Sequence, residues 1–227
     1  MDKYKEHYTH GIMFHRFHVK KPIGGSITSQ ELEAVIKIIG RDRILSPQLW
    51  LEKCAKKSLG NKDICFTFDD CLKSQYDLAL PVLEKYNIKA FFFMHTITLN
   101  GKYDYNELFF NIINKNYNSF DAFFIEYEKH LQIDTDIYLS DNYIAFKNNL
   151  LKKFKHYNDS EIKYRYLRNI YFTYNQFIET LKDFFSVDIT NNHELNNIWM
   201  NKNDIKHLSQ LGHYIGLHTH SHLVNFE

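Results

Sequence analysis

The chain has 227 residues, of which 44% are hydrophobic and 24% are charged. Both values lie near the averages of globular proteins, which excludes a disordered chain, a collagen-like fibre and a low-complexity linker. The 28 basic and 27 acidic residues give a formal charge of +1. The net charge therefore does not favour nucleic acid or an anionic membrane as a partner.

The N-terminus and the cysteines bear on the cellular compartment. Residues 1–10 are polar and charged, unlike a secretory signal, and no stretch reaches the roughly 18 apolar residues of a membrane span. Cys54, Cys65 and Cys71 have no C-x-x-C spacing, so they indicate neither a zinc ribbon nor a redox motif. We therefore expect a cytoplasmic protein without a membrane span.

Glycine and proline divide the chain unevenly. All three prolines lie at or before Pro81, and neither residue type occurs from Lys102 to Leu211. A long stretch without these two breakers is typical of helices. We divide the chain into a first part (1–100), an all-helical insertion (101–198) and a return segment (199–227).

The first part alternates strand and helix patterns. Residues 11–15 form a short apolar run and a predicted strand. Thr28 and Glu31 form a capping box, which begins a helix that Gly40 ends. A second helix begins where Ser46 precedes Pro47, because proline is favoured at the first helical position.

Two further strands follow in the first part. Residues 64–68 and 89–94 are apolar runs suited to strands buried on both faces. Between them, Ser74 and Asp77 form a second capping box, and Pro81 predicts a kink or a late start of that helix. This strand–helix–strand order predicts two parallel strands.

Four apolar stripes at helical spacing run through the insertion. They consist of Leu108, Phe109, Ile112 and Ile113; of Phe120, Phe123, Phe124, Tyr127 and Leu131; of Tyr143, Ile144, Phe146, Leu150, Leu151 and Phe154; and of Phe177, Ile178, Leu181 and Phe185, after a cap by Thr173 and Gln176. Such aromatic stripes form either a sugar- or base-stacking surface or a core between helices, and we favour the core. The basic run at 152–156 is interpreted as a solvated helix face.

The return segment combines a helix with a strand. Asn201 and Asp204 cap a predicted helix, and Gly212 ends it. Residues 214–217 form a predicted strand that leads directly into the sequence HTHSH at 218–222.

Two carboxylates follow a predicted strand without an intervening residue. Asp69 and Asp70 come directly after Phe68. Functional sites form at the carboxyl ends of parallel strands. Two adjacent carboxylates repel each other, and a bound metal ion would explain why both are present. The alternative is a turn of two aspartates that caps the helix near Ser74.

Three histidines follow the last predicted strand in the same way. His218 and His222 are four residues apart and can face one ion where the chain turns, with His220 between them. The alternative is coincidence in a chain with 13 histidines. Together with one carboxylate, the two imidazoles make a ligand set for a first-row metal and leave positions open for water and substrate.

These residues resemble a known family. The sequence ICFTFDDC at 64–71 resembles the first motif, T-F-D-D-G, of the polysaccharide deacetylases, also called the NodB-homology or carbohydrate esterase 4 family, and HTHSH resembles the second motif, H-[ST]-x-x-H. The surrounding sequences are similar to the family as well, at 79–93 and at 199–217. GIMFHRF at 11–17 resembles the opening strand of the capsule and biofilm-type members, with Phe14-His15 where they carry Tyr-His.

The resemblance implies an α/β fold, a partial (β/α) barrel of the NodB deacetylase type with a large all-helical insertion. It implies a metal-dependent hydrolase that removes N-acetyl groups from a sugar or polysaccharide. Asp69 would be the base that deprotonates a metal-bound water. Asp70, His218 and His222 would hold a divalent metal ion, for which zinc is the first expectation.

Departures from the family pattern lead to further expectations. Cys71 replaces the usual glycine after the two aspartates, and the chain ends at Glu227, before the later family motifs with their Arg loop, Trp segment and Leu-x-His acid. We expect a chain truncated after its second motif, in which only His15 and His220 could substitute for the acid. The missing acid predicts poor activity, and the open sheet edge predicts a homo-oligomer or marginal stability. The alternatives are a non-catalytic metal- or glycan-binding remnant and a helical interaction module on a vestigial scaffold.

Overall fold

A computed structural model describes residues 10–20, 22, 24–186 and 197–220. The chain divides into two compact units, one formed by 1–104 with 193–227 and the other by 105–192. The elements in chain order are β1 (His10–Phe14), α1 (Ser29–Ile39), α2 (Pro47–Ala55), β2 (Ile64–Asp69), α3 (Leu80–Lys85), β3 (Phe91–Met94), α4 (Tyr105–Asn116), α5 (Phe120–Leu131), α6 (Asp141–Lys153), α7 (Asp159–Tyr166), α8 (Tyr174–Phe185), α9 (Lys202–Gln210) and β4 (Tyr214–Leu217).

The first unit contains a parallel four-stranded sheet in the order β1-β2-β3-β4. The prediction of an α/β fold with parallel strands is confirmed. Because all four strands run the same way, their carboxyl ends meet at one edge of the sheet, where sites form in such folds. β4 lies close to β3 because Gly216 has no side chain; a Cβ there would lie 2.5 Å from the ring of Phe93.

Aromatic side chains fill the core against this sheet. Phe66, Phe68 and Phe92 are fully buried, and the rings of Phe68 and Phe92 stack with centroids 4.7 Å apart. From the covering helices, Leu32 and Leu83 are fully buried in the same cluster. The buried aromatic rings contribute large apolar areas, which hold the strands that carry the site in place.

Four helices begin where the sequence predicts them. Capping boxes at Thr28, Thr173 and Asn201 begin α1, α8 and α9, and Ser46 caps α2 with Pro47 in its first turn. These caps are hydrogen bonds between residues that are near in sequence, which is why the sequence is sufficient to predict them.

The predicted capping box at Ser74 and Asp77 is wrong. Ser74 has helical backbone angles and makes no capping bond, and its Oγ accepts a hydrogen bond from the backbone N–H of Phe17. The residues Gln75–Ala79 form a π-helical turn, and α3 begins only at Leu80. Pro81 therefore marks a late start, the second of its two predicted effects. The Ser74 hydroxyl is hydrogen bonded to Phe17, a residue distant in sequence, and does not cap the helix.

The second unit is helical in its described part, since residues 105–186 contain α4 to α8 and no strand. Its aromatic stripes form a core: Phe123, Phe124 and Tyr127 are buried, as are the apolar side chains of the α4 stripe. In α8, Phe177, Ile178 and Leu181 are buried and Phe185 is half-buried. The third stripe is only partly buried, because Ile144 and Phe154 are 47% and 41% exposed. Among all described helices, none is long and apolar enough to cross a bilayer.

Candidate metal and catalytic site

The two aspartates lie where β2 ends and the chain turns sharply. Asp69 is the last residue of β2, and Asp70 and Cys71 follow with φ values of 75° and 59°. Left-handed backbone angles at two successive non-glycine residues are uncommon and cost about 1 kcal/mol or more each. Asp tolerates them better than most residues. Asp69 and Asp70 are both buried.

Two histidines from other strands face the carboxylate of Asp70. His218 follows β4, and its Nε2 lies 3.5 Å from Oδ1 of Asp70. His15 follows β1, and its Nε2 lies 3.7 Å from Oδ2 of the same carboxylate. Both distances exceed the usual length of a hydrogen bond. The ends of β1, β2 and β4 thus bring two half-exposed imidazoles to one buried carboxylate.

A buried glutamine connects the ends of β1 and β2. The side-chain amide of Gln75 donates hydrogen bonds to the backbone carbonyls of His15, at 2.8 Å, and of Asp69. Gln75 is fully buried. The sequence does not single out this residue, because a lone glutamine after a turn has no recognisable pattern. Its two hydrogen bonds fix the backbone on which His15 and Asp69 stand.

The histidine segment after β4 is held by the segment after β3. The backbone N–H of His218 donates to the carbonyl of Met94 at 2.7 Å, and that of Ile97 donates to the carbonyl of His220 at 3.0 Å. Thr96 Oγ1 and His220 Nδ1 are hydrogen bonded at 2.7 Å. Thr219 has a φ of 60°, an outlier for a β-branched residue that only a well-determined surrounding can hold.

The donors at this point fit a divalent metal in part. Two ligands that bind one zinc ion at its usual bond lengths in tetrahedral geometry are roughly 3.4 Å apart. Asp70 Oδ1 and His218 Nε2, at 3.5 Å, have about that separation. The third predicted ligand, His222, lies outside the described residues. Within the described ranges, no group of three or more His, Cys, Asp or Glu side chains is arranged to hold a metal.

Cys71 lies beside this carboxylate but is chemically inert. Its side chain is fully buried, and burial raises the pKa of its thiol to about 12. The thiolate is the form that binds metals and reacts as a nucleophile. Cys71 therefore belongs to the packing of the turn, and the carboxylate of Asp70 and the two imidazoles are the candidate metal ligands.

Part of the chain is similar to one known protein family. Residues 56–115 match the family model described as polysaccharide deacetylase. This range contains β2, the two aspartates, α3 and β3. The comparison with curated proteins finds no match.

Several solved structures are similar to the chain. A de-N-acetylase from Aggregatibacter actinomycetemcomitans is 20% identical with a TM-score of 0.35, over 40% of this chain and 39% of that chain. IcaB from Ammonifex degensii is 24% identical with a TM-score of 0.35, over 41% and 40%. The Streptococcus pyogenes deacetylase PplD, solved in complex with acetate, is 19% identical with a TM-score of 0.32, over 67% and 76%. The chain thus spans about two fifths of the first two structures. These TM-scores are too low to carry an argument, so the similarity to polysaccharide deacetylases rests on the family model, which covers residues 56–115.

Proposed function

We propose that this chain, which contains part of a polysaccharide deacetylase family domain across residues 56–115, is a metal-dependent hydrolase that removes N-acetyl groups from a carbohydrate. The single observation that carries the proposal is the approach of His218 Nε2 to Asp70 Oδ1, at 3.5 Å. A buried carboxylate and an imidazole at that separation, at the edge of a parallel sheet, support a metal site of the kind the family uses.

The residues have separate roles in this proposal. Asp70, His218 and His222 hold a divalent ion, for which zinc is the first candidate. When bound, such an ion lowers the pKa of water and polarises the amide carbonyl of the substrate. Asp69, buried next to Asp70, accepts the proton of the attacking water. Gln75 holds the backbone of Asp69 in place through its carbonyl.

The departing amine must receive a proton for the amide bond to break. Apart from His218, His15 is the imidazole that the described residues bring to Asp70, and its side chain is 33% exposed. It is therefore the candidate to deliver that proton to the amine nitrogen. A positioned acid is worth about 10²–10⁴-fold in rate, so a His15→Gln variant is expected to lose activity on that scale.

The decisive experiment measures metal content and acetate release on the same samples. The chain is loaded with zinc, freed of excess metal and assayed on an N-acetylglucosamine oligomer. We expect close to one ion per chain and acetate release that a chelator abolishes. His218→Ala is expected to lose both, while His156→Ala, which removes an exposed histidine of the helical unit, keeps both. Bound metal without acetate release would favour the alternative of a non-catalytic remnant. A His218→Ala variant that retains wild-type metal would contradict the site.

A further inference from the structure

A cavity of about 450 Å³ lies between the segment after β3 and the segment that leads into α9, within the first unit. Its size is in the range of small-molecule sites. Residues 98–99 and 101–103 line one side, and residues 199–203 line the other. None of the site residues named above lines it, so it is a separate feature of the fold.

Backbone hydrogen bonds connect the segments on both sides of the cavity to the candidate site. On one side, the N–H of Met200 donates to the carbonyl of Cys71 at 2.8 Å, next to Asp70. On the other side, the N–H of Ile97 donates to the carbonyl of His220 at 3.0 Å, two residues after His218. The cavity is thereby fixed beside the carboxyl ends of the strands that carry the site, where the rest of an extended substrate would lie.

The described lining of the cavity is positively charged. It contains Lys102 and Lys202 but no acidic residue. Neither lysine forms an ion pair with a carboxylate within the described part of the chain. Two ammonium groups without a counter-charge at a concave surface attract anions, and the walls concentrate this effect.

Two aromatic residues complete the lining. The rings of Tyr103 and Trp199 lie 5.9 Å apart and are tilted by 38°. Trp199 is 6% exposed, and its indole Nε1 has no hydrogen-bond partner among the described residues. A buried donor without a partner is costly, so a ligand oxygen that reached it would gain a hydrogen bond. Apolar rings with a few polar groups are the usual lining of a site for a small polar molecule.

We propose that this cavity is a subsite for a second sugar unit of the glycan, one that carries a negative charge as a carboxylate or a phosphate. That the ligand is a glycan rests on the proposed function. The new element is the negative charge on the sugar unit next to the one that loses its acetyl group. Lys102 and Lys202 bind the charge, and the face of Tyr103 packs against the sugar ring. A neutral homopolymer of N-acetylglucosamine is then a poorer ligand than a charged glycan.

Equilibrium binding tests the proposal without depending on turnover. The probes are three tetrasaccharides: one of N-acetylglucosamine, one that alternates N-acetylglucosamine with glucuronic acid, and the first of these phosphorylated at its 6-hydroxyls. Calorimetry on the Asp69→Asn variant measures the dissociation constant of each probe. We expect at least one charged probe to bind about tenfold more tightly than the neutral one, because a hydrogen bond to a charged group contributes on that scale. The better charged probe identifies carboxylate or phosphate as the preferred group.

Matched variants locate the binding. Lys102→Gln combined with Lys202→Gln is expected to abolish the preference for charged probes, while Lys56→Gln, at an exposed lysine of the same unit, keeps it. Circular dichroism checks that each variant is folded. Equal dissociation constants for all three probes, or a preference that survives the double substitution, would overturn the subsite. If the wild-type protein releases acetate but binding shows no charge preference, only the subsite is contradicted. If binding depends on charge but no acetate is released, only the proposed reaction is contradicted.

Discussion

Oδ1 of Asp70 lies 3.5 Å from Nε2 of His218 although the whole helical insertion separates these two residues in the sequence. The sheet explains this proximity. β2 and β4 flank β3 and run parallel to it, so their carboxyl ends lie at the same edge. An insertion that leaves the first unit after β3 and returns before α9 changes the length of the chain between the two residues and not their place in the sheet.

Exchange of each aspartate for asparagine separates the roles of the pair. Asp69→Asn is expected to reduce acetate release by at least 10²-fold with the metal retained, because it removes a base and not a ligand. Asp70→Asn is expected to lose the metal, since a neutral amide replaces an anionic ligand. Metal analysis and an acetate assay on both variants test this. The opposite pattern would mean that the two roles are exchanged.

The hydroxyl of Thr96 is expected to position the histidine segment through its bond to His220 Nδ1. Thr96→Val removes the hydrogen bond at nearly constant volume, and we expect zinc affinity to fall about tenfold or more, as for other residues that orient a metal-binding segment. The measurement is a competition titration with a chelating dye. Thr98→Val is the matched control, because Thr98 Oγ1 has no partner among the described residues. Equal affinities of the two variants would contradict a positioning role.

The left-handed turn at Cys71 predicts an unusual order of stability. At a φ of 59°, Cys71→Gly is expected to be about 1 kcal/mol more stable than Cys71→Ala, since both remove the thiol but only alanine retains the strain of a Cβ. Urea denaturation measures the difference. At Cys65, inside β2, the order is expected to reverse, because glycine weakens a strand. An alanine variant that is the more stable one at both positions would refute strain at this turn.

The buried His213 predicts loss of stability in acid. Burial, with a smaller effect from the charge of Lys89, lowers the pKa of His213 to about 4 from its ordinary 6.5. The unfolded chain takes up a proton below about pH 6.5, whereas the folded protein resists it down to about pH 4. The contribution of His213 to the free energy of unfolding is therefore fully present above pH 6.5. It falls by about 3 kcal/mol in total as the pH drops from 6.5 to about 4.

Denaturation midpoints between pH 4 and pH 8 check this dependence. His213→Gln is expected to flatten the curve below pH 6.5, and His156→Gln, at an exposed histidine, leaves its shape unchanged. A wild-type curve that is flat from pH 7 to pH 4.5 would show that His213 is not held neutral. The backbone N–H of Ala90 donates to His213 Nδ1 at 3.1 Å, and protonation of that nitrogen would break the bond.

Much of the fold could be predicted because it depends on neighbours in the sequence. The capping boxes at Thr28 and Asn201 are hydrogen bonds across three residues. The buried strands show as continuous apolar runs. The prediction failed at Ser74, where the same local pattern competes with a distant donor, the N–H of Phe17. A motif read from local sequence has no information about such a competitor.

The sequence by itself determined which chemical groups are available at the strand ends: the carboxylates of Asp69 and Asp70 and the imidazole of His218, each directly after an apolar run. Only the tertiary structure decided their geometry. The 3.5 Å approach to His218, the presence of His15 at the same carboxylate and the two bonds of Gln75 depend on strand register and on two left-handed residues after β2. Register and turn angles are set by packing across the whole unit, and side-chain distances of a few ångströms follow from them.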